Sequence, residues 1–180
     1  MRKVAILGCA GLVAALSGAG TILAGNVHLK GGGTAKPTFS DGGLTLTGSG
    51  ALAGLGNGDV LITLTASANP TATCCTPGGS CKVPGQNPAP VTVTGSEAIP
   101  ASAIKNGNVD FAVTTEPPPT PVAGAPDCPN SSWTESITDM AFTRGTITVM
   151  QGGSTVFTLS CTFSPPTRDG RVSSQNVTCS

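Results

Sequence analysis

Apolar and hydroxylated residues alternate one for one along several short stretches of this chain, and that period of two restricts it to β-structure before anything else is considered. Leu44 and Leu46 alternate with Thr45 and Thr47; Val60, Ile62 and Leu64 with Leu61, Thr63 and Thr65; Val91 and Val93 with Thr92 and Thr94. Val109, Phe111 and Val113 repeat the pattern after the turn-forming Asn106-Gly107-Asn108. Successive side chains of a strand point to opposite faces, so each stretch has one apolar and one polar side. No stretch of useful length keeps the 3.6-residue period of a helix.

The clearest hairpin joins Thr146–Met150 to Thr155–Phe163 through Gln151-Gly152-Gly153-Ser154, where glycines can supply the positive φ of a tight turn. Phe157, Leu159, Cys161 and Phe163 then share one face. A further strand is expected from Trp133 towards Thr143, with others at Asn26–Lys30 and Arg171–Thr178. The total of about seven to nine strands predicts an all-β fold, a single antiparallel β-sandwich with immunoglobulin-like topology, with a small barrel as the alternative. Trp133 resembles the core tryptophan of such sandwiches.

Arg2 and Lys3 precede an apolar run from Val4 to Gly25, the pattern of an export signal. Cleavage is expected at Ala24, with Ser17-Gly18-Ala19 as a second small-x-small site. An uncleaved anchor and lipidation at Cys9, within Ile6-Leu7-Gly8-Cys9, are the rivals. The glycines and alanines of the run disfavour an anchor, and Val4–Gly8 is shorter than the roughly 7–15 residues of a signal's apolar region. The expected layout is a signal peptide over 1–24 and one β-domain over 25–180, secreted, periplasmic or at the cell surface, with no stable membrane insertion after cleavage.

Beyond the signal the chain keeps Cys74, Cys75, Cys81, Cys128, Cys161 and Cys179, an even number suited to three bridges in an oxidising compartment. There is no C-x-x-C pair and no second histidine, so a zinc site is not expected. Adjacent Cys74 and Cys75 cannot bridge each other without strain. Cys161 and Cys179 flank the turn-rich Pro165–Gly170 and are expected to pair, leaving Cys74 and Cys75 divided between Cys81 and Cys128.

Nine basic residues balance nine acidic ones, and loss of Arg2 and Lys3 leaves no basic patch, which excludes nucleic acid as a partner. Catalytic chemistry finds no foothold either. The one histidine, His28, sits just beyond the expected cleavage site, and G-x-S-x-G is absent. Glu97, Asp110, Glu116, Glu135 and Asp139 could do acid–base work, but no spacing singles out a pair. Asp41 and Asp59 lie in glycine-rich turns without a calcium-loop ladder and read as turn stabilisers. The glycines at 31–33 and 54–58 lack the helix and lysine of a phosphate cradle. No catalytic residue, cofactor or metal is therefore expected.

The pairs Thr45/Thr47, Thr63/Thr65, Thr92/Thr94 and Thr146/Thr148 raise the idea of a hydroxyl array that orders water or contacts ice. Their uneven intervals argue instead for ordinary solvent faces of strands, where threonine is favoured. Rings are few, five Phe and one Trp with no Tyr, so a sugar platform would have to rest on Trp133 or the loops. The Thr76–Pro90 and Glu116–Pro129 connections carry cysteines and read as stapled loops, with Pro117–Pro119 stiffening the second. Asn130-Ser131-Ser132 and Asn176-Val177-Thr178 are glycosylation sequons, relevant only in a glycosylating pathway.

The export signal, Val-Thr-Val-Thr at 91–94, Ile-Pro-Ala-Ser at 99–102 and Gly-Asn-Val-Asp-Phe-Ala-Val-Thr-Thr at 107–115 together resemble a group of secreted bacterial proteins without established activity. The resemblance covers most of the mature chain and carries over no functional residue. The expectation is a non-enzymatic structural or adhesion module facing an extracellular or envelope partner, with a glycan- or small-ligand-binding sandwich as the alternative.

Overall fold

The computed structural model describes residues 26–81, 83–84, 89–119 and 128–180. The expected signal sequence, both expected cleavage sites and Cys9 lie outside the described residues, as do parts of the two stapled loops.

Among the described residues eleven strands run antiparallel in two sheets: β1 His28–Leu29, β2 Thr38–Asp41, β3 Leu46–Ala53, β4 Val60–Cys75, β5 Val83–Pro84, β6 Val91–Ile99, β7 Val109–Thr114, β8 Thr134–Gln151, β9 Ser154–Phe163, β10 Gly170–Arg171 and β11 Val177–Cys179. One sheet holds β1, β2, β3, β7 and β10; the other holds β4, β5, β6, β8, β9 and β11. Two sheets facing each other make a β-sandwich, which sets the barrel aside. The count exceeds the expected nine because β2 and the two-residue β5 were not expected and the strand expected at Arg171–Thr178 is divided into β10 and β11 by a 3-10 turn at Ser174–Asn176, which outweighs one merger.

The strands expected at Trp133–Thr143 and Thr146–Met150 are one strand, β8, paired with β4 along its whole length. The sequence hides this because β8 carries two irregularities, opposite Ser67/Ala68 and Thr71/Ala72. Each adds a residue, and each shifts the alternation by one. Buried positions accordingly run Glu135 and Ile137, then Met140 and Phe142, then Gly145, Ile147, Val149 and Gln151. A strict period of two would turn Met140 and Phe142 outward; the bulges keep them on the core side. The same pairing carries β4 through Pro70, opposite Met140, to Cys75.

One apolar cluster draws on both sheets, with Phe39, Leu46 and Leu52 from one facing Ile62, Leu64, Phe142, Ile147 and Val149 from the other. Phe39 and Phe163 meet edge to face, centroids 5.0 Å apart. Trp133 is not part of it. It is only half-buried, in the turn before β8, where its backbone N–H donates to the Asn130 carbonyl. Phenylalanines fill the place expected for it, because the core is built around the middle of β8 and not its entry.

The expected hairpin forms: Gly152 and Gly153, at φ +61° and +80°, make a two-residue turn between β8 and β9 with both central residues left-handed. Cys161 and Cys179 are directly opposed on β9 and β11 and are bonded. Cys74 bonds Cys128 and Cys75 bonds Cys81, which settles the open division. Consecutive strand residues point to opposite faces, so Cys74, 1% exposed, joins the inner side while Cys75 staples the loop on the outer.

The sheets are tied at two places. At one, Gly95 of β6 lies against the backbone of Thr114, while the Glu116 N–H donates to the Thr94 carbonyl and the Thr115 N–H to that of Leu46. At the other, the chain leaves β9 for β10 and passes Asp41.

Candidate functional site

The outward residues of the six-stranded sheet are the first candidate. Ladder register, not interval along the chain, decides which side chains stand side by side in a sheet. Ser96, Thr63, Thr148 and Thr158 fall in one row across β6, β4, β8 and β9; Thr94, Thr65, Thr146 and Ser160 in the next. A third row runs Thr92, Ser67, Arg144, Thr162 and, on β11, Thr178. Three of the four threonine pairs seen in the sequence are thus brought into register, and the expectation that they form no array is corrected. The fourth goes elsewhere: Thr47 is on β3 of the other sheet, hydrogen-bonded to Thr114.

Within the array Thr63 and Ser96 hydroxyls lie 3.1 Å apart and those of Thr146 and Ser160 3.2 Å. None of these positions is buried. Beyond the first row lie Ala98, Leu61 and Met150, and Leu61 is 41% exposed, the one large hydrophobic so exposed among the described residues. Arg144 is the one charge within the three rows.

The second candidate surrounds Asp41, at the end of β2 and 3% exposed. Its carboxylate accepts the Gly43 N–H at 2.9 Å, the turn-stabilising bond expected from the sequence, and the Thr167 hydroxyl at 2.5 Å. Thr167 accepts the Phe142 N–H on its hydroxyl and donates its own N–H to the Phe142 carbonyl. The Met140 N–H donates to Gly43. Asp41 therefore fastens the 164–169 connection to both sheets.

Burial raises the Asp41 carboxyl above the usual 3.8, partly opposed by the Thr167 and Gly43 bonds, while the charges of Asp139 and Asp169 raise it further. Asp139 and Asp169 flank an open groove along residues 165–169. This convergence of three acids from β2, β8 and a loop was not legible in the sequence, which offered Asp41 and Asp139 separately.

The other expected positions are dispersed. His28 is exposed on β1, its ring bonded to the Asn26 carbonyl, as a strand residue should be. Asp59 accepts the Ala101 N–H and stabilises that turn; Glu97 accepts the Ala112 N–H across the seam between the sheets. Asp110 and Glu116 are exposed. Glu135 is buried opposite Cys74, one carboxylate oxygen having no hydrogen-bond partner among the described residues. The second loop's Pro118 is buried, so the proline run is used against the protein itself.

Among the described residues no three His, Cys, Asp or Glu side chains are arranged to hold a metal ion, and no helix is long and apolar enough to cross a membrane. Compared with known proteins, the chain matches no family model, no curated sequence and no solved structure.

Proposed function

We propose that the protein is an exported, non-enzymatic interaction module that presents the hydroxylated face of its six-stranded sheet to an extended surface outside the cell or at its envelope. The in-register rows of threonine and serine carry this reading. A sheet face is normally kept soluble and monomeric by scattered charge, and these rows have almost none. Three disulfides fit an oxidising compartment, in keeping with the signal pattern at residues 1–24. Crossings between the sheets at β3–β4, β6–β7 and β7–β8 support an immunoglobulin-like connectivity within the same reading.

The test is retention of the protein on envelopes of its host. Thr65→Lys, at the centre of the array, is expected to abolish retention, and Thr47→Lys on the opposite sheet to leave it unchanged; equal retention of both variants refutes the proposal.

A second reading has one observation in its favour, the convergence of Asp139 and Asp169 with Arg168 on the open groove. Carboxylates and a guanidinium suit the hydroxyls of a small glycan. Under that reading Asp139→Asn with Asp169→Asn, and not Thr65→Lys, abolishes binding on a glycan array.

A further inference from the structure

We infer that the array is an ice-binding plane, its ligand being the ordered water of a crystal surface; this rests on the hydroxylated face being the binding surface. The chemistry of the face suits the other common partners less well, each for a different reason. Sugars are held by stacking on rings, and no aromatic side chain stands in the three rows. Protein partners need desolvated apolar or aromatic anchors, and Leu61, outside the rows, is the one large hydrophobic so exposed among the described residues. Nucleic acid needs several cations, and Arg144 stands alone.

What remains is a neutral lattice of hydroxyls and methyls at fixed spacing. Neighbouring strands are about 4.7–4.9 Å apart and alternate residues roughly 6.6–6.8 Å apart along a strand. The cross-strand spacing is of the order of the short oxygen repeat of hexagonal ice and the along-strand spacing is somewhat shorter than the long one, and the twist between strands confines any match to the adjacent central strands. Threonine occupies the four central positions, Thr63, Thr65, Thr146 and Thr148. Its hydroxyl can take the place of a lattice oxygen while its methyl excludes bulk water beside it. Its branched β-carbon restricts χ1, so little side-chain freedom is lost when the surface engages. The contacts between Thr63 and Ser96 and between Thr146 and Ser160 restrict those hydroxyls further.

The experiment uses the disulfide-intact mature protein in an ice-recrystallisation assay, with partition into a slowly grown ice hemisphere as the second measurement. The wild type is expected to suppress recrystallisation and to enter the ice. Thr65→Lys should require at least about tenfold more protein for the same effect, and Thr47→Lys should behave as wild type. Thr65→Val keeps the strand propensity and shape while removing one hydroxyl, and guards against misfolding of the lysine variant; it is expected to be weakened but active. A wild type excluded from ice like serum albumin overturns the inference, as does a Thr65→Lys variant that is folded by circular dichroism and fully active. Loss of envelope retention in Thr65→Lys alongside an ice-inactive wild type removes the ice-binding inference and leaves the interaction surface standing, whereas failure of both removes the surface as well.

Discussion

Gly95→Ala tests how closely the two sheets are joined. A Cβ at residue 95 would lie 1.9 Å from the Thr114 carbonyl oxygen, 2.6 Å from its carbon and 2.7 Å from the Thr115 Cα. All three are backbone atoms and cannot rotate away. Non-bonded heavy atoms settle near 3.5 Å or more, so β6 and β7 must part by roughly 1.5 Å. Overpacking of this kind costs about 1–3 kcal/mol. Parting the strands also strains the Glu116-to-Thr94 and Thr115-to-Leu46 bonds, each worth about 0.5–1.5 kcal/mol. The sum is about 2–6 kcal/mol, and at about 2–4 °C per kcal/mol for a domain of this size the melting temperature should fall by roughly 10 °C. Gly33→Ala, where an added Cβ meets nothing within 4 Å, is the control and should change little. Thermal unfolding of the disulfide-intact proteins by calorimetry makes the comparison. A shift within roughly 2 °C for Gly95→Ala would show that the seam is not the rigid contact described.

Two further outcomes are expected. Because burial and two neighbouring acids raise the Asp41 carboxyl above 3.8, its contribution to stability is fully present below that pH and is lost as pH rises through the raised value. The melting temperature of wild type relative to Asp41→Asn should therefore rise as pH is lowered from 7 towards 4; a difference that stays constant over this window removes the argument. Replacing Cys161 and Cys179 together by Ala opens a bridge with a sequence separation of 18 and should cost about 3 kcal/mol, more than the roughly 2 kcal/mol for the six-residue Cys75–Cys81 staple. Urea midpoints in the opposite order would contradict the chain-entropy account.

The strands that could be read from the sequence are those whose alternation runs unbroken, Val60–Thr65, Val91–Thr94 and Val109–Val113, together with the hairpin at Gly152-Gly153. Those that could not are where geometry departs from a period of two. At β8 the two bulges make the buried set change parity twice, so a single strand looks like two with an irregular stretch between. Trp133 misled for a related reason: aromatic bulk suggested the core, but its position at the mouth of β8, beside the stapled loops, leaves it half-buried. Cys161–Cys179 was legible because the cysteines flank a local turn. The division of Cys74 and Cys75 was not, since it depends on which face of β4 each occupies, and Pro70 concealed that the strand reaches them at all.

The candidate surface does not show in the sequence because intervals along the chain say nothing of neighbours across a sheet, where antiparallel pairing brings together residues as distant as Thr63 and Thr148. The inward and outward faces obey the same register: the pairing that stacks Leu64 on Ile147 in the core also places Thr65 beside Thr146 outside. A core accounts for the first alignment but not for the chemistry of the second. If those positions served only to face solvent, lysine and glutamate would answer as well and would guard a broad neutral face against association. The three rows instead hold hydroxyls, with Arg144 the single charge, while the acids gather at the Asp41 junction or stand on other faces. Under the proposed reading a face kept neutral in this way serves contact with another surface, and the lysine substitution at Thr65 places a charge in the two rows that carry none.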